Sequence, residues 1–132
     1  MKIRLSIWLI VCMAIATVFS VAQKHKQNNS KKMISFIQAK QKAIDTVIAL
    51  TNHDKDIVLW NEKTETKPSG WYFVFTTQKY VETRNPHTLK FGVPSVYVSK
   101  LGEVKIVPTS IRLENFIAAT EEEALEKATK NE

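Results

Sequence analysis

The sequence predicts an α+β domain: an N-terminal helix, a four-stranded antiparallel meander sheet, and a C-terminal helix or helices packed on the sheet. Three observations predict it. A 3.6-residue apolar pattern covers residues 36–50, four β-rich runs follow with short polar connections, and a second helical pattern closes the chain. Parallel pairing needs crossover helices between strands, and the connections hold none. The expected arrangement therefore has consecutive strands side by side and the helices covering one face.

Each element has a local cause. Ser35 is placed to accept the backbone N–H of Gln38, whose side chain reaches back in a capping box. Phe36, Ile37, Ala39, Ala43, Ile44, Val47, Ile48 and Leu50 then share about half of the helix circumference, with Gln38, Gln41, Lys42 and Asp45 opposite. Lys40 falls inside the apolar arc, where its stem can line the core while its ammonium stays wet. Asn52 suits a left-handed cap, and Asn52-His53-Asp54 makes the turn. Residues 57–60 form a short strand, ended by a polar stretch through Lys67-Pro68-Ser69-Gly70. Residues 71–77 carry the strongest strand signal, open to extension through Tyr80 and Val81, and residues 82–94 read as a long connection. Residues 96–98 and 104–107 form a hairpin with Gly102 at positive φ, and Pro108 ends it. Thr109 or Ser110 caps a helix bearing Leu113, Phe116 and Ile117. Thr120 and Glu123 make a second capping box, which predicts a separate short helix with Glu121 and Glu122 near its N-terminus.

Composition narrows the function classes. The chain has 132 residues, 44% hydrophobic and 24% charged, the balance of one small globular domain. Three glycines are too few for a dinucleotide or phosphate-cradling loop. Nineteen basic residues face 13 acidic ones, but Lys2, Arg4, Lys24, Lys26, Lys31 and Lys32 lie in the first 32 residues, where there is no acid. The remaining 13 basic residues balance the 13 acidic ones, so the domain carries no basic stripe and no nucleic-acid partner is expected.

The basic N-terminus reads as an address. Lys2 and Arg4 precede a charge-free, predominantly apolar run over residues 5–19, followed by Ser20, Val21 and Ala22. Residues 1–22 are expected to be a signal peptide cleaved after Ala22, giving a periplasmic or exported protein. The alternative is an inner-membrane anchor through residues 5–22, favoured by the basic flank of Lys24, Lys26, Lys31 and Lys32. Residues 23–32 are polar throughout and read as a linker, leaving residues 33–132 as the domain. The single Cys12 lies in the address, so the mature domain has no disulfide and no thiolate zinc site.

The sequence nominates no catalytic residue, cofactor or metal. His25, His53 and His87 lack helical i, i+4 spacing. Ser69-Gly70 opens a strand rather than a nucleophile turn, and Glu121, Glu122 and Glu123 diverge on a helix as dipole-complementing surface charge. The aromatic residues say more. Trp71, Phe73 and Phe75 point to one side of their strand as core, whereas Tyr72, with Trp60 or Tyr97 on neighbouring strands, can form an amphipathic patch on the other.

Four segments carry a resemblance: Gly70-Trp71-Tyr72-Phe73-Val74-Phe75, Lys79-Tyr80-Val81-Glu82-Thr83, Phe91-Gly92-Val93-Pro94 and Gly102-Glu103-Val104. Together with Met33-Ile34-Ser35 and Leu113-Glu114-Asn115-Phe116-Ile117, they resemble the immunity protein 35 (YrhB-like) family over residues 33–118. Val93 and Ser99-Lys100 depart from its pattern. Members are small bacterial proteins found beside polymorphic toxins. The resemblance implies an immunity protein, not an enzyme, that binds and neutralises a cognate toxin by stoichiometric contact; its expected export comes from residues 1–22, not from the family. Tyr72, Tyr80, Glu82, Arg84 and His87 are the expected partner-binding residues, since strand ends and long loops carry function on a rigid base. The competing expectations are a chaperone-like holdase of the cell envelope and an exported cystatin-like or PepSY-like inhibitor module. In the inhibitor module, Leu113 to Ile117 would not dock as a second helix.

Overall fold

A computed structural model describes residues 32–130. The predicted signal or anchor and all but the last residue of the predicted linker lie outside them. The protein is α+β, in the order α1 (Phe36–Leu50), β1 (Ile57–Leu59), β2 (Glu65–Thr66), β3 (Gly70–Phe73), β4 (Phe75–Thr77), α2 (Gln78–Thr83), β5 (Ser95–Ser99), β6 (Val104–Val107) and α3 (Leu113–Thr129). The main sheet runs β2-β3-β5-β6, antiparallel throughout, and β1 pairs with β4 in a second, two-stranded sheet.

The first helix starts and stops as its sequence dictates. Gln38 N–H donates to Ser35 Oγ at 3.2 Å, and Ser35 N–H donates to Gln38 Oε1 at 2.9 Å. Asn52 and His53 both take left-handed backbone (φ 52° and 60°), and His53 N–H closes onto the Ile48 carbonyl at 2.8 Å. Its buried stripe is narrower than the apolar pattern, consisting of Ala39, Ala43 and Val47. The two alanines let the helix lie close to Trp71, Phe73, Val96 and Val98, which leaves Ile37 78% exposed on the flank.

The long aromatic strand changes sheets. Trp71 and Phe73 pair with Val98 and Val96 in the main sheet, whereas Phe75 pairs with Leu59 of β1. Val74 sits at the break, and its carbonyl accepts the Trp60 N–H at 2.8 Å. The chain then turns helical at once instead of extending through Tyr80 and Val81. Thr77 Oγ1 accepts the Tyr80 N–H at 3.1 Å and caps α2.

Two further expectations are corrected. The helices do not share one face of the sheet. Ala39, Ala43 and Val47 of α1 cover Trp71, Phe73, Val96 and Val98, while Ile117 of α3, with Leu113 and Phe116, covers Tyr72 and Tyr97 on the opposite side. The strands alternate aromatic or β-branched side chains on both faces, so each face needs its own cover. The C-terminal segment is also one helix rather than two, and its N-cap, Arg112, makes no side-chain capping bond. Thr120 starts nothing. Its hydroxyl donates to the Phe116 carbonyl one turn back at 2.8 Å, and the residue is buried against the sheet.

Candidate protein-binding surface

The sheet change at Val74 builds a corner. Trp60 is held where β1 ends, and α2 swings Tyr80 against it, with ring centroids 5.3 Å apart and planes at 80°. This edge-to-face packing suits the ring quadrupoles. Arg84 ends α2 in left-handed backbone (φ 55°), with its N–H on the Tyr80 carbonyl at 2.8 Å. That conformation costs a non-glycine residue about 1–2 kcal/mol. Its guanidinium is fixed on two sides. Cζ lies 5.4 Å from the Trp60 ring centroid, and Nη2 donates to both carboxylate oxygens of Glu62 at 2.7 Å. Lys63 Nζ approaches the same indole at 5.6 Å. The Trp60 Nε1–H is buried and has no hydrogen-bond partner.

A groove of about 320 Å³ shares Trp60 with this corner and is lined also by Phe75, Leu89, Phe91, Val93 and Ile111 among others. Phe91 is 99% exposed on its rim, with Leu89 and Ile111 also exposed. Gly92 (φ 77°) makes the turn that holds the ring out, and nothing lies within 4 Å of where its Cβ would be. The rim is tied down beside Phe91, because Lys90 Nζ bonds the Asp54 carboxylate. That hydrogen bond holds the Asp54 carboxyl below its ordinary range and raises the Lys90 ammonium above its own.

The predicted binding residues separate. Tyr80 is half-buried in the corner and Arg84 forms its wall. Glu82 is exposed on α2 and accepts a hydrogen bond from Gln78 Nε2 at 2.6 Å, one turn away; Arg84 pairs with Glu62 instead. His87 is exposed in the 3-10 turn Pro86–Thr88, where its N–H donates to Asn85 Oδ1 at 3.0 Å. Tyr72 is a correction: it is 0% exposed beneath α3 and offers no surface to a partner. Trp60 is not its neighbour either, since it packs on Tyr80. Sequence reasoning missed Glu62, Lys63, Leu89, Phe91 and Ile111. A signal existed for Leu89 and Phe91, which with Val93 are the three apolar residues in a connection otherwise made of polar, Pro and Gly residues.

A second polar cluster lies under α3. Glu121 is no surface charge at a helix start. It sits mid-helix and accepts from Tyr72 OH at 3.0 Å, from Ser69 N–H at 3.2 Å and from Ser69 Oγ. Tyr97 OH donates to the Ser69 carbonyl at 3.1 Å and lies 2.9 Å from Ser69 Oγ. Burial pushes the Tyr72 phenol up to about 12, and burial likewise raises Tyr97. Every hydroxyl here is engaged within the cluster, so the arrangement clamps α3 onto the β2–β3 turn. Among the described residues no group of His, Cys, Asp and Glu could hold a metal ion, and no helix is long and apolar enough to cross a membrane. No family model matches the chain, and neither a curated protein nor a solved structure matches it.

Proposed function

We propose that this chain acts as an immunity-type protein, binding a cognate bacterial toxin with one-to-one stoichiometry and blocking it without catalysis. The observation that carries this reading is the Trp60–Tyr80–Arg84 corner, which shares Trp60 with a groove whose rim presents Phe91 almost fully to solvent. Aromatic and arginine side chains on a rigid base are the residue types that dominate protein–protein contacts. The left-handed Arg84 supports the same reading, because backbone strain held in place by surrounding contacts concentrates at functional positions. Docking of α3 against Tyr72 and Tyr97 weighs against the cystatin-like or PepSY-like alternative. Export to the periplasm remains part of the proposal and rests on the N-terminal sequence alone.

The test is complex formation with the toxin encoded by the neighbouring reading frame. Phe91→Ser and Arg84→Gly should each weaken binding about thirtyfold, the loss of about 2 kcal/mol typical of an interface anchor. Both should leave melting nearly unchanged. Phe91 contributes little to the core, and in Arg84→Gly the relieved backbone strain offsets an exposed ion pair worth less than about 1 kcal/mol. Equal affinity for wild type and both variants would remove this surface from the function. Suppressed aggregation of unrelated unfolded proteins, with no toxin complex, would replace immunity by the holdase reading. Turnover of a small compound, abolished by one side-chain replacement, would overturn the binding class altogether.

A further inference from the structure

The two edges of the main sheet are built differently. At one edge β2 has only Glu65 and Thr66, and Glu65 is ion-paired with Lys67 at 3.0 Å. A strand so short and charged is a poor template for another chain. At the other edge β6 has four residues, Val104-Lys105-Ile106-Val107, and none of these blunting devices on its apolar side. Ser99 N–H donates to the Glu103 carbonyl at 2.8 Å, and the antiparallel alternation from that pair turns the N–H and C=O of Val104 and Ile106 away from β5. Their side chains lie opposite Val98 and Val96 on the α1 face, 39% and 47% exposed. Among the described residues no strand pairs with this edge.

We propose that the β6 edge is a self-association surface, on which two copies of this chain pair their β6 strands antiparallel about a two-fold axis at Lys105. The pattern of the strand selects both the occupant and the register. With the axis at Lys105, Val104 of one copy lies opposite Ile106 of the other, and each such pair exchanges two N–H···O bonds. Every outward backbone group of Val104 and Ile106 then finds a partner, and the exposed Val104 and Ile106 side chains meet on one face. A slip of one residue would put the apolar side chains on opposite faces. A slip of two in one direction would bring Pro108, which has no N–H, into the ladder, and in the other would set Gly102, whose N–H already donates to the Ser99 carbonyl at 2.9 Å, opposite Ile106. The selected register places Lys105 opposite its own copy, an unfavourable like-charge pair. Lys105 Nζ lies 3.5 Å from a Glu123 carboxylate oxygen, so each copy brings the anion that compensates its cation. An isologous contact supplies both compensations at once.

Disulfide trapping reads this register directly. In the full chain carrying Cys12→Ser, Lys105→Cys would set two thiols across a pair whose Cα atoms stand about 4.5 Å apart, within disulfide reach. Mild oxidation should convert the chain to a linked dimer on a non-reducing gel. Glu103→Cys, whose opposite position in this register is Val107, should give none. Adding Ile106→Lys, or independently Val104→Lys, to Lys105→Cys should lower the linked fraction about tenfold, equivalent to about 1.4 kcal/mol, with the circular dichroism spectrum retained. No linked dimer from Lys105→Cys, equal linking at positions 103 and 105, or linking indifferent to both lysine variants would each overturn the proposal.

Discussion

The two faces of the main sheet are covered by helices of similar amphipathic length, yet they are held by different physics. Against α1 the sheet offers Trp71, Phe73, Val96 and Val98, and the helix answers with Ala39, Ala43 and Val47. No hydrogen bond of that core joins helix side chain to sheet side chain; what matters is volume. Against α3 the sheet offers Tyr72 and Tyr97, with ring centroids 4.7 Å apart, and the helix answers with Ile117, Phe116 and the carboxylate of Glu121. Here the hydroxyls are buried with their partners, so what matters is completeness of the hydrogen-bond network. The lesson is that the α1 face should fail by cavity and the α3 face by an unsatisfied group.

The largest effect should come from emptying the α1 face. Phe73 is fully buried between α1 and the sheet, and Phe73→Ala should cost about 3–5 kcal/mol in urea unfolding. Gly70→Ala tests the same sheet from its backbone. An added Cβ would lie 2.3 Å from the Val98 carbonyl oxygen and 2.8 Å from the Ser99 Cα, so strands β3 and β5 would have to part, at about 3 kcal/mol. On the α3 face, Glu121→Leu keeps most of the side-chain volume but strands the Tyr72 hydroxyl and both Ser69 donors, and should cost about 2–3 kcal/mol. If Glu121→Leu proves neutral while Phe73→Ala does not, the α3 face is held by packing after all and the contrast disappears.

What could be read from the sequence divides along a physical line. The α1 caps, the β5–β6 hairpin and the positive φ of Gly102 (84°) were legible because each is decided within a few residues. The break at Val74 was not, because residues 71–77 alternate without interruption and only the pairing of Phe75 with Leu59 moves the strand to another sheet. Thr120 and Glu123 carry the letters of a capping box, yet a continuous helix buries Thr120 and engages Glu123 with Lys105 and Lys127. Glu121 was misread because its partner Ser69 lies 52 residues away. At the candidate site, Tyr80 stood out at the end of a strand signal and Arg84 in the long connection that follows it. Tyr72 was misassigned because alternation alone says which face a side chain takes, and not whether a helix covers that face.

The smallest and most specific effect concerns pH. Tyr72→Phe removes one donor to Glu121 while the Ser69 donors remain, so its cost near neutrality should be about 1 kcal/mol. The substitution also removes a titration. The folded state holds the Tyr72 phenol at about 12, through burial first and the adjacent Glu121 carboxylate in addition, against 10.0 for an exposed tyrosine. Between those values the unfolded chain releases a proton that the folded chain keeps, so folding stability falls as pH rises. The contribution is fully present below pH 10 and is lost as pH climbs through about 12. Denaturant midpoints measured from pH 9 upward should therefore decline more steeply for the wild type than for Tyr72→Phe, and the two curves should converge. Parallel curves would mean that the Tyr72 hydroxyl meets solvent in the folded protein, and that α3 does not seal its side of the sheet.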